Sequence, residues 1–574
     1  MRIEKKLFMI LIFCHILIGN TFGEESDTKN SGSLVITQEK IKSLSVHTLV
    51  ELLNQLPGVT ATESSISLQG APTKQVLVLL DGRPLTDPVS GGVDLRGISV
   101  YSIEKVEIIK GAGAVLYGDN TTGGVILITT RKAHSAYKNR VEASYGSFNT
   151  QIYDFDLGTQ VKATGLSLSG NYKRSDGHRK NSDSETWGGK IGINSRLGKE
   201  IDLRLSLNYS RKEKGYSGPT YSPTPLARSE QQGWGSTLLL KYRALNSRTY
   251  YTGFDDYYND PNNKKKTDLK IQIIGEDVKW EGDLPRIGAV LLGLNGELRR
   301  AEATAIGKHD ENQFSIYGSK EISGGGWPLS LRLGLRLNKH SDFGSSYNPE
   351  AGIFYKLKGW EASIQVNRSS NTPSFRQRYY ESTFTKGNPD LGMEQATNYQ
   401  LNLSAKIMDS FSWSATAFWS QVEDGIATVK GTDGIYRYAN ISSSSRKGAE
   451  AGFDWKIVEW LGIDASYIYL IAKDESTGLF LTHKPKHKAN FNIRLSKWDG
   501  ALILRGKYVD RSFDNSANTE VLDSYFAADA KLAYKIKAVN MFFEVNNLFD
   551  KVHYAHLGYP SEGRTYAAGL SYEF

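Results

Sequence analysis

The chain has 574 residues, a net charge of +8, 39% hydrophobic residues and a mean hydropathy of −0.41, with 56 glycines, 31 tyrosines, 15 prolines and one cysteine. Beyond residue 23 no apolar run is long enough for a membrane-spanning helix, which excludes a helical membrane protein, and the charge alternates in sign instead of gathering with aromatics as a nucleic-acid groove requires. Rich glycine and tyrosine with soluble-looking hydropathy suit a membrane β-barrel, where only the lipid-facing half of each strand must be apolar.

Residues 1–23 read as a signal peptide: Arg2, Lys5 and Lys6 precede an apolar stretch too short to span a bilayer, and cleavage before Glu24 removes Cys14. An exported chain without disulfides must then rely on backbone pairing and packing. After a short segment, 24–33, Leu34–Thr37 reads as a strand. Leu49, Leu52, Leu53 and Leu56 mark one face of a helix stopped by Pro57-Gly58, with Ser45 expected as its N-cap. Three apolar runs follow, Val76–Leu80, 106–109 and 125–130, separated by turns at Gly111, Gly113, Gly118, Gly123 and Gly124. That density of glycine predicts a compact α+β module rich in tight turns. The Gly111-x-Gly113 pair is no dinucleotide fingerprint, because Leu116 stands where a third glycine is needed and strand follows instead of helix.

From residue 139 to 574 the pattern has period two. Leu329, Leu331, Leu333, Leu335 and Leu337 alternate with Ser, Arg, Gly, Arg and Asn, and Tyr566, Ala568, Leu570, Tyr572 and Phe574 repeat the rhythm at the end. A soluble sandwich also alternates, but persistence over this length with aromatics at strand ends predicts a membrane barrel. Short turns are expected near 197–201 and 535–539. Long polar loops are expected at 175–184, 211–233, 255–268, 379–392, 474–488, 510–522 and 553–563. If the first hundred residues sit inside it, the barrel is wider than a porin, and 22 strands are favoured. No GxSxG elbow or catalytic His/Asp spacing is present, so an outer-membrane hydrolase has no support. His483, His487, His553 and His556 lie in predicted loops or strand ends and are either solvated or ligands for an iron or cobalt centre.

LVLLDGRPL (77–85), IEKVEIIKG (103–111), AVLYGDNTTGGVILITT (114–130), VNNLFDKVHY (545–554) and GYPSEGRTY (558–566) closely resemble segments of TonB-dependent outer-membrane transporters. The look is most like the vitamin B12 (cobalamin) branch, with ferric siderophore receptors next. The resemblance implies an all-β transmembrane barrel over 139–574 with an N-terminal plug domain, 34–133, in its lumen. It also implies a monomer in the outer membrane that imports a scarce, bulky metal chelate. The implied partners are the TonB–ExbB–ExbD complex, outer-membrane lipid and the barrel assembly machinery, with no nucleic acid and no resident cofactor. A ligand would meet the plug at Asp87, Ser90, Tyr117, Asp119 and Asn120, and the loops at Tyr216, Tyr221, Tyr257, Tyr258, Tyr379, Tyr380 and Tyr559. Asp255, Asp256 and Asp260 offer hard oxygens for a structural calcium, as in some cobalamin transporters of the family, with Lys264–Lys266 as a neutralising alternative. Arg83, Arg96 and Lys110 with Glu104 and Glu107 are expected in plug–barrel pairs.

Three departures qualify the resemblance. Leu68-Gln69-Gly70 replaces the usual Ile-Arg-Gly, which removes one charge-assisted contact. Ser374-Phe375-Arg376 and Asn388-Pro389-Asp390-Leu391 loosely resemble a haem-receptor pair, yet no histidine lies between them. Only ten residues, 24–33, precede Leu34, and the box-like Ser33-to-Thr37 stretch sits where the plug's own first strand belongs. Without a clear TonB box, a surface receptor or adhesin that binds without transport is the alternative.

Overall fold

Along Leu329–His340 the alternation is realised inside out. Leu329, Leu331, Leu333, Leu335 and Leu337 are all exposed, whereas Arg336 and Asn338 on the same strand are 2% exposed. Such a strand is stable only with lipid on its leucine face and a polar filling on the other. In the computed structural model, described over residues 33–574 except 112, 285–287 and 324–326, 22 long antiparallel strands share this arrangement and close a barrel. The signal segment and residues 24–32 lie outside the described residues. The first strand, Arg140–Gly146, pairs with the last, Thr565–Glu573, in a register that sets Glu573 opposite Arg140. Asn139 and Phe574 exchange two backbone hydrogen bonds, of 3.0 and 3.1 Å, beside that seam.

One end of the barrel has tight turns, such as 198–200 and 537–538. The other carries the long loops 176–183, 216–227, 372–393, 475–486, 510–524 and 547–564. The long loop expected at 255–268 is absent: strands Leu245–Asp260 and Lys265–Leu284 pair through it and leave only a turn at 261–264. Polar residues there continue the ladder because its backbone pairs need no apolar side chain.

The plug fills the lumen. Its sheet has the order β1 (Leu34–Thr37), β6 (Ile103–Lys110), β7 (Gly124–Thr130), β4 (Val76–Leu80) and β5 (Arg83–Pro84). Helices α1 (Gln38–Leu44) and α2 (Leu49–Gln55) and the hairpin β2 (Val59–Ala61) to β3 (Ile66–Leu68) complete it, with α3 (Ala114–Tyr117) before β7. Leu49, Leu52, Leu53 and Leu56 join Val78, Val106, Ile108 and Ile126 in one dry core. Ser45 does not cap α2. It ends α1 in left-handed geometry (φ 53°), and Thr48 caps α2 by accepting the Glu51 N–H at 3.1 Å. A second helix this close upstream was invisible to a periodicity read from one apolar face.

Two glycines show why α3 and β7 can sit so tightly. Gly113 enters α3 at φ 114°, which an L-residue rarely adopts, and Gly123 runs so close to Ala71 that a Cβ would stand 2.4 Å from that side chain's own Cβ.

Candidate functional site

Three plug turns point toward the long-loop end: 62–65, 86–93 and 117–122. The second is a hairpin bridged at Thr86 and Val93, with Asp87 N–H donating to Gly92 at 2.9 Å. At its tip the Asp87 carboxylate accepts the N–H groups of Val89 (2.6 Å) and Ser90 (3.2 Å) and the Ser90 hydroxyl. Burial raises the Asp87 pKa above its ordinary value against those hydrogen bonds.

On one side this tip is sealed. The loop after strand Trp360–Asn371 turns inward and forms α4 (Phe375–Tyr379), opened by a capping box between Ser374 and Gln377. The N–H groups of Phe375 and Arg376 donate to Pro88 and Val89, both at 3.0 Å. Phe375 is buried with Val89, Tyr250, Ile271 and Ile273. The buried Arg378 guanidinium pairs with Glu311 and Asp342, each at 2.6 Å, and lies over the Phe343, Phe375 and Tyr379 rings. Tyr379 stacks on His309 at 3.6 Å, and Tyr380 lies against Arg376. These two tyrosines therefore pack the seal.

The opposite side is open. A cavity of about 540 Å³ runs from Glu63, Ser90 and Asp94 on the plug, past Tyr216 and Asp256 on the wall, down to Lys190 and Thr130. Four acidic groups line it (Glu63, Asp87, Asp94, Asp256) and four basic ones (Arg83, Arg96, Lys190, Lys214). Arg83 reaches Thr252 (3.1 Å) and Asn208 (3.0 Å) on the wall, and burial lowers its pKa to about 10. Arg96 pairs with Asp94 inside the plug at 2.6 Å, and Glu63 binds Lys212. Burial raises the Tyr216 phenol to about 12, and its ring meets Tyr258 edge-on at 5.4 Å.

The residues singled out from the sequence divide accordingly. Asp87, Ser90 and Tyr216 line the large cavity. Tyr117, Asp119 and Asn120 border a second space of about 90 Å³ beside Arg248, Arg299 and Arg336, shared with Asp87. Asp119 is wholly engaged by the wall: His340 at 2.9 Å, Asn338 at 3.0 Å and Asn348 at 3.1 Å. Asn120 binds Thr372 of the sealing loop. Tyr221 is 77% exposed, and Tyr559, half-exposed, lies in the loop that meets it: Thr220 N–H donates to Gly558 at 2.9 Å. Tyr257 faces away from the lumen, since Tyr250, Thr252, Phe254 and Asp256 of its strand take the inward positions.

The same alternation separates the aspartates. Asp255 points outward, Asp256 inward to Ser229 (2.7 Å) and Gln231 (2.8 Å), and Asp260 is spent on Asn263 at 2.7 Å. The three carboxylates do not converge. Among the described residues the cluster with metal-ligating geometry is instead His483, Asp514 and His556. Of the expected ionic plug–barrel pairs, Lys110 binds Glu450, whereas Arg83 uses neutral partners and Glu107 pairs with Lys105 inside β6. Gln69 is buried with its amide nitrogen unpartnered, where the expected arginine would have donated. Glu63, Asp94 and Lys214 had no sequence signal, because a cavity between plug and wall is assembled by pairing and not by any local pattern.

Comparison with known proteins agrees with this architecture. Residues 134–548 match the family model "TonB dependent receptor-like, beta-barrel", and 26–125 match "TonB-dependent Receptor Plug Domain". The chain is 24% identical to the vitamin B12 transporter BtuB of Photobacterium profundum over 94% of this chain and 92% of that one. It is 25% identical, with the same shares covered, to an iron-regulated outer membrane virulence protein of Vibrio cholerae. The crystal structure of the siderophore receptor PirA from Acinetobacter baumannii superposes with a TM-score of 0.80 at 18% identity, covering 97% of this chain and 100% of that one.

Proposed function

Since the chain belongs to the TonB-dependent receptors, outer-membrane barrels of Gram-negative bacteria that import nutrients with the TonB–ExbB–ExbD complex, we propose that its cargo is a bulky metal chelate of little net charge. The balance of charge in the cavity carries this reading: its lining holds four acidic and four basic groups, equal in number. A trianionic ferric catecholate would find no excess of cations to offset its desolvation. A corrinoid or a neutral ferric hydroxamate finds paired dipoles and the Tyr216–Tyr258 rings. The relatives named as vitamin B12 transporters favour the corrinoid.

Import then requires the plug to yield. The box-like stretch cannot be the TonB contact while folded, because Leu34–Thr37 is β1, in register with Ile108 to Lys105 of β6. Coupling falls to residues 24–32, which lie outside the described residues. That same pairing favours the second reading, a receptor that binds without transporting.

Cells lacking their own receptors and expressing this chain, with and without TonB, separate these readings. Cyanocobalamin, a neutral ferric hydroxamate and a ferric catecholate would be offered as labelled cargo. TonB-dependent uptake of a neutral chelate is expected. Binding without uptake would favour the receptor reading, and a catecholate as sole cargo would refute the charge argument. In purified protein, Tyr216→Ala should weaken binding of the cargo by about 1–3 kcal/mol, the scale of a hot spot, whereas the outward Tyr257→Ala should leave it unchanged.

A further inference from the structure

Three outer loops meet at one point away from the cavity. His483 lies in loop 475–486, Asp514 in loop 510–524 and His556 in loop 547–564. The Nε2 atom of His483 is 2.6 Å, and Nδ1 of His556 3.2 Å, from the same carboxylate oxygen, Oδ1 of Asp514. The two imidazoles lie 4.2 Å apart between centroids. All three ligand atoms fall within 4.8 Å of one another. Zinc bonds of about 2.0–2.1 Å in a tetrahedron set ligand atoms about 3.3 Å apart, a separation reached here by small rotations.

The surroundings hold this triad in place. The second Asp514 oxygen accepts the Leu557 N–H at 3.1 Å, which fixes the carboxylate plane. The His483 N–H donates to the Phe513 carbonyl at 2.9 Å, and His483 itself adopts φ 57°. A non-glycine residue in that region costs free energy and persists where its neighbours over-determine it. Asn518 already ties the first two loops through both Phe480 backbone groups, at 2.8 and 2.9 Å. His556 is 60% exposed at its side chain, so the fourth position opens to solvent.

We infer that His483, Asp514 and His556 bind a divalent cation of the zinc class and clasp these loops together. Two imidazole nitrogens and one carboxylate suit zinc; calcium and magnesium, which prefer six or more oxygens, are poorly served. Because Gly558, two residues beyond His556, accepts the Thr220 N–H, the clasp also steadies the loop that carries Tyr216 and Tyr221.

Tag-free protein in detergent, stripped with a chelator, would be titrated with zinc chloride against a chromogenic zinc indicator. One saturable equivalent is expected, unaffected by millimolar calcium or magnesium. His556→Ala and Asp514→Asn should each weaken it by at least about tenfold. Asparagine can still accept the Leu557 N–H, so the second variant keeps the loops folded, and heat-modifiable migration would verify the barrel. Zinc should also slow proteolytic nicking of loop 547–564 in wild type but not in His556→Ala. Absence of a saturable equivalent, or equal affinity in both variants and wild type, would overturn the assignment.

Discussion

The plug's interior and the plug's outer surface are built by opposite rules. Inside, Leu49, Leu52, Leu53 and Ile126 are at most 1% exposed and share one apolar cluster. Against the wall the plug buries Val89 among Tyr250, Ile271 and Ile273 but otherwise leans on charge: Lys40 binds Asp454 and Asp464, Lys110 binds Glu450, and Asp81 sits between Lys190 (3.3 Å) and Arg204 (3.1 Å). His47 joins Glu142 (2.8 Å) and Glu544 (3.2 Å) from opposite sides of the seam. Apolar burial would make the plug a permanent core of the barrel. Polar contacts can be exchanged for water as the lumen wets, so the plug can move without unfolding the wall.

Single changes test that contrast, and the interface should be the more sensitive. Lys110→Met leaves Glu450 buried without its partner and should loosen the plug by about 3–5 kcal/mol, read as hydrogen exchange of plug amides. Adding Glu450→Gln should restore most of that loss; no recovery would mean the pair does more than balance charge. Leu53→Ala in the core should cost about 2–5 kcal/mol, with no second-site partner able to restore it and the barrel ladder unaffected.

A third effect depends on pH. Burial alone would lower the His47 pKa, but the Glu142 and Glu544 carboxylates bring it from 6.5 up to about 9. A raised histidine stabilises docking fully below pH 6.5 and loses that contribution as pH climbs through 9, here about 1–3 kcal/mol. His47→Gln should flatten plug protection across that window, and an unchanged slope would exclude the residue as its source. The smallest effect belongs to the exposed Arg437–Asp433 pair, where Arg437→Ala should leave the melting temperature unchanged.

Period two let the sequence announce which residues face lipid, and Leu329 to Leu337 lie where that rhythm put them. It said nothing of how far a strand continues, so 255–268 read as a loop when its polar residues are ladder. Applied residue by residue, the same rhythm separates Asp255 from Asp256 and turns Tyr257 outward, which a count of acidic and aromatic residues overlooked. The inward fold of α4 over Val89, and the meeting of His483 with Asp514 and His556, join segments far apart in the chain. No local pattern encodes such meetings. They follow from barrel closure, which fixes which loops are neighbours.

That closure also imposes a calendar on biogenesis. Residues 140–146 wait for 567–573 before either row of N–H and C=O groups is satisfied, and unpaired groups are not tolerated in hydrocarbon. The plug is tethered through 131–139 directly to the waiting strand. The tether therefore keeps the plug beside the strand that closes last, so plug docking and closure of the 22-strand ring take place next to one another.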